Sequence, residues 1–175
     1  MLKRLFKPRP AQAAGRALYA EIVTQSRTPG LYADLGAPDT VEGRFELYSL
    51  HVYLLLERLK GQGEQAGETA QALFDTYLSA LDHSLREMGV GDLSVGKKMR
   101  KLGEALYGRM TAYEEPLRAG DAVTLAAGLA RNVYESADAA AGTALAEYAI
   151  ASRARLAEQS FDAVAAAPAW AEVQP

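Results

Sequence analysis

The chain has no cysteine and only two histidines. The first absence removes disulfides, thiolate nucleophiles and thiolate metal sites; the second leaves too few imidazoles for a histidine-built metal centre. No metal and no cofactor are therefore expected. Long apolar runs are missing too. Nothing approaches the ~18 apolar residues of a membrane-spanning helix, and the basic start MLKRLFKPRP lacks the apolar run of about 7–15 residues that marks a secretory signal. The protein is expected to stay on the side where it is made. Strand signals are absent as well, because no segment of alternating β-branched residues lies between turn signals, which leaves helical periodicity to organise the chain.

Charge of one sign is also scarce. A net charge of −3 announces neither a nucleic-acid binder nor an acidic disordered tail. Its distribution is uneven: residues 1–27 hold six Lys/Arg against one Glu, whereas residues 119–175 hold three against seven acids. That polarity suits a polyanionic or membrane-surface partner near one end. The start of the chain could press Leu2, Leu5 and Phe6 into a bilayer surface with Lys3, Arg4 and Lys7 held by anionic lipid, or could be a flexible tail.

With 49% hydrophobic residues in 175, the chain is expected to be all-α: one compact bundle-like domain of about six helices over residues 12–166. Flexible tails are expected at 1–11 and 167–175. A first helix is predicted from Gln12 to Ser26, stopped by Pro29-Gly30, with a loop through Tyr32 and Gly36. Asp39, three residues before Glu42, reads as a capping-box variant opening a helix to Lys60 that is apolar nearly all round and so central. Gly61 to Gly67 marks a loop. Leu73, Phe74, Tyr77, Leu78, Leu81, Leu85 and Met88 then recur at helical spacing. Gly89 is expected to cap that helix, Ser94 to cap the next, and Val95, Met99, Leu102, Leu106, Met110, Tyr113 and Leu117 to form its apolar stripe. Asp121 should cap a shorter helix, with an alanine-rich helix following to about Ala166.

The segment Gly91 to Lys97 fits most of the phosphate-loop pattern G-x-x-x-x-G-K. The pattern needs a hydroxyl after the lysine and a strand before the loop, and the chain supplies Lys98 and a helix. A helix-turn-helix corner explains the glycines better. Lys97, Lys98, Arg100 and Lys101 crowd the first turns of the second helix, where each cation opposes the macrodipole by ~0.3–1 kcal/mol, so the cluster points to service toward a partner or to a plain solvated face. His83 beside Asp82 lacks a nucleophile or a second carboxylate pair, and His51 sits in the apolar central helix as a satisfied core histidine, so no catalytic set forms and no enzyme is expected. Tyr107-Gly108-Arg109 after the basic turns leaves an RNA-binding surface conceivable, while core packing explains most tyrosines.

The run Leu85-Arg86-Glu87-Met88-Gly89-Val90-Gly91-Asp92-Leu93-Ser94-Val95-Gly96-Lys97-Lys98-Met99, with Tyr107-Gly108-Arg109 after it, resembles the core signature of the ubiquinol-cytochrome c chaperone family, in its bacterial form. The resemblance implies a non-enzymatic assembly chaperone for the cytochrome bc1 complex, cytoplasmic or peripheral on the cytoplasmic face of the inner membrane. It implies nascent cytochrome b as partner, as for the mitochondrial relatives, which work with a small partner protein near the ribosome's exit; DNA is not among the partners. The signature positions Asp82, Arg86, Glu87, Gly91, Asp92, Lys97, Lys98, Tyr107 and Arg109, with Lys101 beside them, would form or support the recognition surface. A hydrophobic client suggests a groove beside Tyr77 and Tyr107. The alternative is an RNA- or ribosome-binding module with an indirect role in respiratory biogenesis.

Overall fold

The computed structural model describes residues 10–173. The basic segment through Arg9 and the last two residues lie outside them. Eight α-helices and one short 3-10 turn make up the described residues, with no strand among them. Six helices are long: α1 (Pro10–Gln25), α3 (Val41–Leu59), α4 (Glu64–Glu87), α5 (Asp92–Ala119), α6 (Ala122–Val133) and α7 (Thr143–Glu158). Two short ones were not legible in the sequence, α2 (Pro29–Ala33) within the expected loop and α8 (Phe161–Ala166) where one long last helix was expected. The Ser160 hydroxyl accepts from the Ala163 amide at 3.2 Å, so a new helix starts there.

Helix α3 is central because its apolar residues surround it. Leu47, Leu50, Val52, Leu54, Leu55 and Leu59 are all buried, and each contributes about 1.5–3 kcal/mol by leaving water. It touches α1, α4, α6 and α7. Its start corrects the sequence reading: Thr40, not Asp39, caps it, accepting from the Gly43 amide at 3.0 Å. The side chain immediately before the first helical residue reaches that amide, and Asp39 turns instead to Arg44 at 2.6 Å. Helix α1 begins at Pro10, with φ preset for a first turn. It lies along α4 so closely that a Cβ on Gly15 would stand 2.6 Å from the Leu73 amide nitrogen.

The α4–α5 corner closes with a Schellman motif. Val90 N–H donates to Leu85 O at 3.0 Å and Gly89 N–H to Arg86 O at 2.9 Å, with Gly89 at φ +81°, a conformation that suits glycine. The expected Ser94 cap is displaced: α5 starts at Asp92, and Ser94 lies inside its first turn with its amide on Gly91 O at 2.8 Å. Asp121 caps α6 as expected, accepting from the Thr124 amide at 3.0 Å.

The end of the described chain is not frayed. Trp170 meets the His51 ring edge-on at 5.0 Å between centroids, and the Ala171 amide donates to Ser152 Oγ at 3.1 Å. An aromatic ring with a place on the core overrides the tail-like composition around it.

Candidate functional site

Two surface features stand out, both built from α4 and α5. The first is the corner that joins them. Arg86 Nε donates to Asp82 Oδ2 at 2.7 Å, and the same guanidinium bonds Asp92, so one arginine ties the last turns of α4 to the first turn of α5. His83 pairs along the helix with Glu87 at 3.2 Å. Asp82, Arg86, Glu87, Gly91 and Asp92 are thus brought together, as frame. On that frame Lys97, Lys98, Arg100 and Lys101 are exposed and make no ion pair among the described residues.

Arg109 stands apart from them. Its guanidinium bonds both oxygens of Glu46 on α3 and lies 6.0 Å over the Phe45 ring. Burial pushes the Glu46 carboxyl up, and the bonds from Arg109 oppose that rise. The pair braces α5 against α3 with side chains only 21% and 7% exposed. A cationic residue two turns beyond a basic cluster reads as surface; its partner sits 63 residues earlier in an apolar helix, which no local pattern reveals.

The second feature is a groove of about 670 Å³ lined by α4, α5 and the end of α3. Leu56 forms its base, with Ala70 and Phe74 on the α4 wall and Leu106, Tyr107 and Met110 on the α5 wall. A Lys60–Glu114 pair at 3.3 Å spans from the end of α3 to α5. Tyr107 is 73% exposed and joins the groove, whereas Tyr77 is buried, bonded to Ser49 Oγ at 2.8 Å, and stands behind Phe74 with ring centroids 6.5 Å apart. Tyr53 also lines the groove; its hydroxyl is buried without a hydrogen-bond partner among the described residues. Burial first, then the Glu114 and Glu57 carboxylates, push that hydroxyl up to about 12, so it stays a proton donor. Phe74 and Met110 read as core from their spacing. Nothing in their spacing separates them from core residues; their partial exposure along the groove does.

His51 is a core group, its Nδ1 bonded to Leu47 O at 2.7 Å and its Nε2 to the Tyr148 hydroxyl at 2.8 Å. Burial lowers it to about 4. Among the described residues no cluster of His, Asp and Glu could hold a metal ion, and no helix is long and apolar enough to cross a membrane.

Comparison with known proteins identifies the family. The model of a family described as "Ubiquinol-cytochrome C chaperone" matches residues 33–171. The ubiquinol-cytochrome-c reductase complex assembly factor 1 of Xenopus laevis is 27% identical over 96 residues, 55% of this chain and 48% of that protein. The Drosophila melanogaster assembly factor 1 is 27% identical over 123 residues, 67% of this chain and 47% of its own length. The chain thus spans about half the length of the curated relatives it matches. A crystal structure of the Cbp3 homolog from Brucella abortus superimposes with a TM-score of 0.83 at 38% identity, over 99% of this chain and 98% of that one.

Proposed function

We propose a client-holding mechanism for this chain, which belongs to the ubiquinol-cytochrome C chaperone family: it holds an apolar segment of newly made cytochrome b in the α3–α4–α5 groove while the ubiquinol-cytochrome c reductase complex is assembled. A chaperone family gives no reaction to assign, so the side chains are read for holding, not for turnover. The relatives named as assembly factors for that complex support the process. The observation that carries the mechanism is the open apolar groove with an exposed Tyr107 on one wall. An apolar helix gains by leaving water there.

The residues named by the signature divide between two tasks. Tyr107 belongs to the groove, Arg109 braces the α5 wall through Glu46, and Asp82, Arg86, Glu87, Gly91 and Asp92 frame the corner that presents Lys97, Lys98 and Lys101. The corner orients the chaperone where it works; a small partner protein and the ribosome are further candidates for contact.

The test is capture of newly made cytochrome b by the tagged chain, comparing wild type with Ala70→Arg/Met110→Arg. Both positions are partly exposed groove wall, so the fold tolerates the change. Capture should fall at least tenfold with circular dichroism unchanged. Undiminished capture by a folded variant overturns the groove. RNA binding that weakens linearly with log salt, without cytochrome b capture, favours the RNA module instead.

A further inference from the structure

We infer that the tip of the α4–α5 corner is a membrane-contact site that takes an anionic phospholipid surface, whatever the groove holds. Leu93 is as exposed as in an open chain, at 102%, and Met88 on the other side of the turn is 55% exposed. Leu93, Lys97, Arg100 and Lys101 stand at i, i+4, i+7 and i+8 on one face of α5, opposite the buried Val95 and Leu106. This face is therefore an aliphatic point backed by three cations, with Lys98 at its flank.

The charge at the tip is net positive. Against Asp82, Glu87 and Asp92 stand Arg86, which bonds both aspartates, and Lys97, Lys98, Arg100 and Lys101, none of which has a carboxylate within ion-pair distance among the described residues. Glu104, one turn beyond Lys101, ends the cationic stripe. A positive tip on a chain of net charge −3 turns that end toward a negative surface. The Schellman closure and the Asp82–Arg86–Asp92 clamp hold Met88 and Leu93 out, so their exposure belongs to the fold.

Aliphatic exposure separates lipid from RNA. An exposed leucine and methionine gain on entering the headgroup and acyl boundary, with lysines above them drawn to lipid phosphates, whereas nucleic acid rewards aromatic stacking. The exposed aromatic of α5, Tyr107, lies fourteen residues from Leu93, about 21 Å along the helix. The groove begins near Gly103, about 15 Å from the tip. A tip seated in the headgroups therefore keeps the groove beside the bilayer.

The test is flotation of the full chain with phosphatidylcholine vesicles, with and without phosphatidylglycerol. The wild type should float with the anionic vesicles only, and less as salt rises. Lys97→Gln/Arg100→Gln/Lys101→Gln and, separately, Leu93→Ser should each cut binding at least fivefold with unchanged thermal melting, and Leu93→Trp should retain binding with a blue-shifted emission. Equal binding to both vesicle types overturns the inference, as does anionic binding that survives both sets of substitutions and so belongs elsewhere in the chain. RNA binding lost in the charge variant and kept in Leu93→Ser, without vesicle binding, overturns it in favour of RNA. The groove variant Ala70→Arg/Met110→Arg should float like wild type, which separates failure of this site from failure of the client groove.

Discussion

Mild acid should destabilise this protein through His51. In the fold the ring is fully buried and neutral, bonded to Leu47 O and to the Tyr148 hydroxyl, and its pKa is about 4 against an ordinary 6.5. The unfolded chain therefore binds a proton between those two values that the native state refuses. Stability from this group is complete above pH 6.5, falls as pH drops through the window, and changes no further below about 4. The interval between 6.5 and about 4, at ~1.4 kcal/mol for each pH unit, gives about 3–4 kcal/mol in full, a large share of the ~5–15 kcal/mol that holds a domain together. Urea unfolding at pH 7 and pH 4.5 measures the loss for wild type and for His51→Phe, which keeps a ring against Trp170 and cannot titrate. The variant starts lower by about 1–3 kcal/mol, because Tyr148 loses an acceptor, but its pH slope is shallower. Glu46, raised by burial, favours the fold as pH falls and is common to both proteins, so it cancels. Equal losses in the two proteins refute the argument.

Three further outcomes follow from particular contacts. Arg109→Met strands the Glu46 carboxylate in a buried site and should cost about 3–5 kcal/mol in urea unfolding, with Glu46→Gln/Arg109→Met recovering much of it. Gly142→Ala places a Cβ 2.2 Å from Ala126 O, and the backbone shift this forces should cost about 1–3 kcal/mol in the same assay. Tyr53→Phe removes a buried hydroxyl that has no partner among the described residues, so its melting temperature should hold or rise; a clear loss of stability would show that the hydroxyl is satisfied within the fold.

The long helices were legible because their apolar residues repeat at helical spacing over three turns or more, and Gly89 and Asp121 because each supplies what a helix end lacks. Five-residue α2 is too short to show a period. Asp39 and Thr40 are adjacent capping residues, and the start of the helix at Val41, which puts Thr40 at the cap and leaves Asp39 to Arg44, decides between them. Trp170 is a lone aromatic among alanines and prolines, and its berth against His51 is fixed by residues 119 positions away in the chain. The site was half legible. Glycines, acids and lysines of the corner are contiguous and could be read as one feature. The groove is lined jointly by α3, α4 and α5, a product of how distant helices pack that side-chain periodicity does not encode, and Arg109 is held by an acid far off in sequence.

The most direct test of client holding is the reduced-minus-oxidised spectrum of membranes from cells lacking this protein, with the bc1 subunits quantified beside it and with wild type or Ala70→Arg/Met110→Arg restored. Selective loss of b-type haem and of bc1 subunits, recovered with wild type and not with the groove variant, is the predicted result. Unchanged bc1 content in cells without the protein would contradict it.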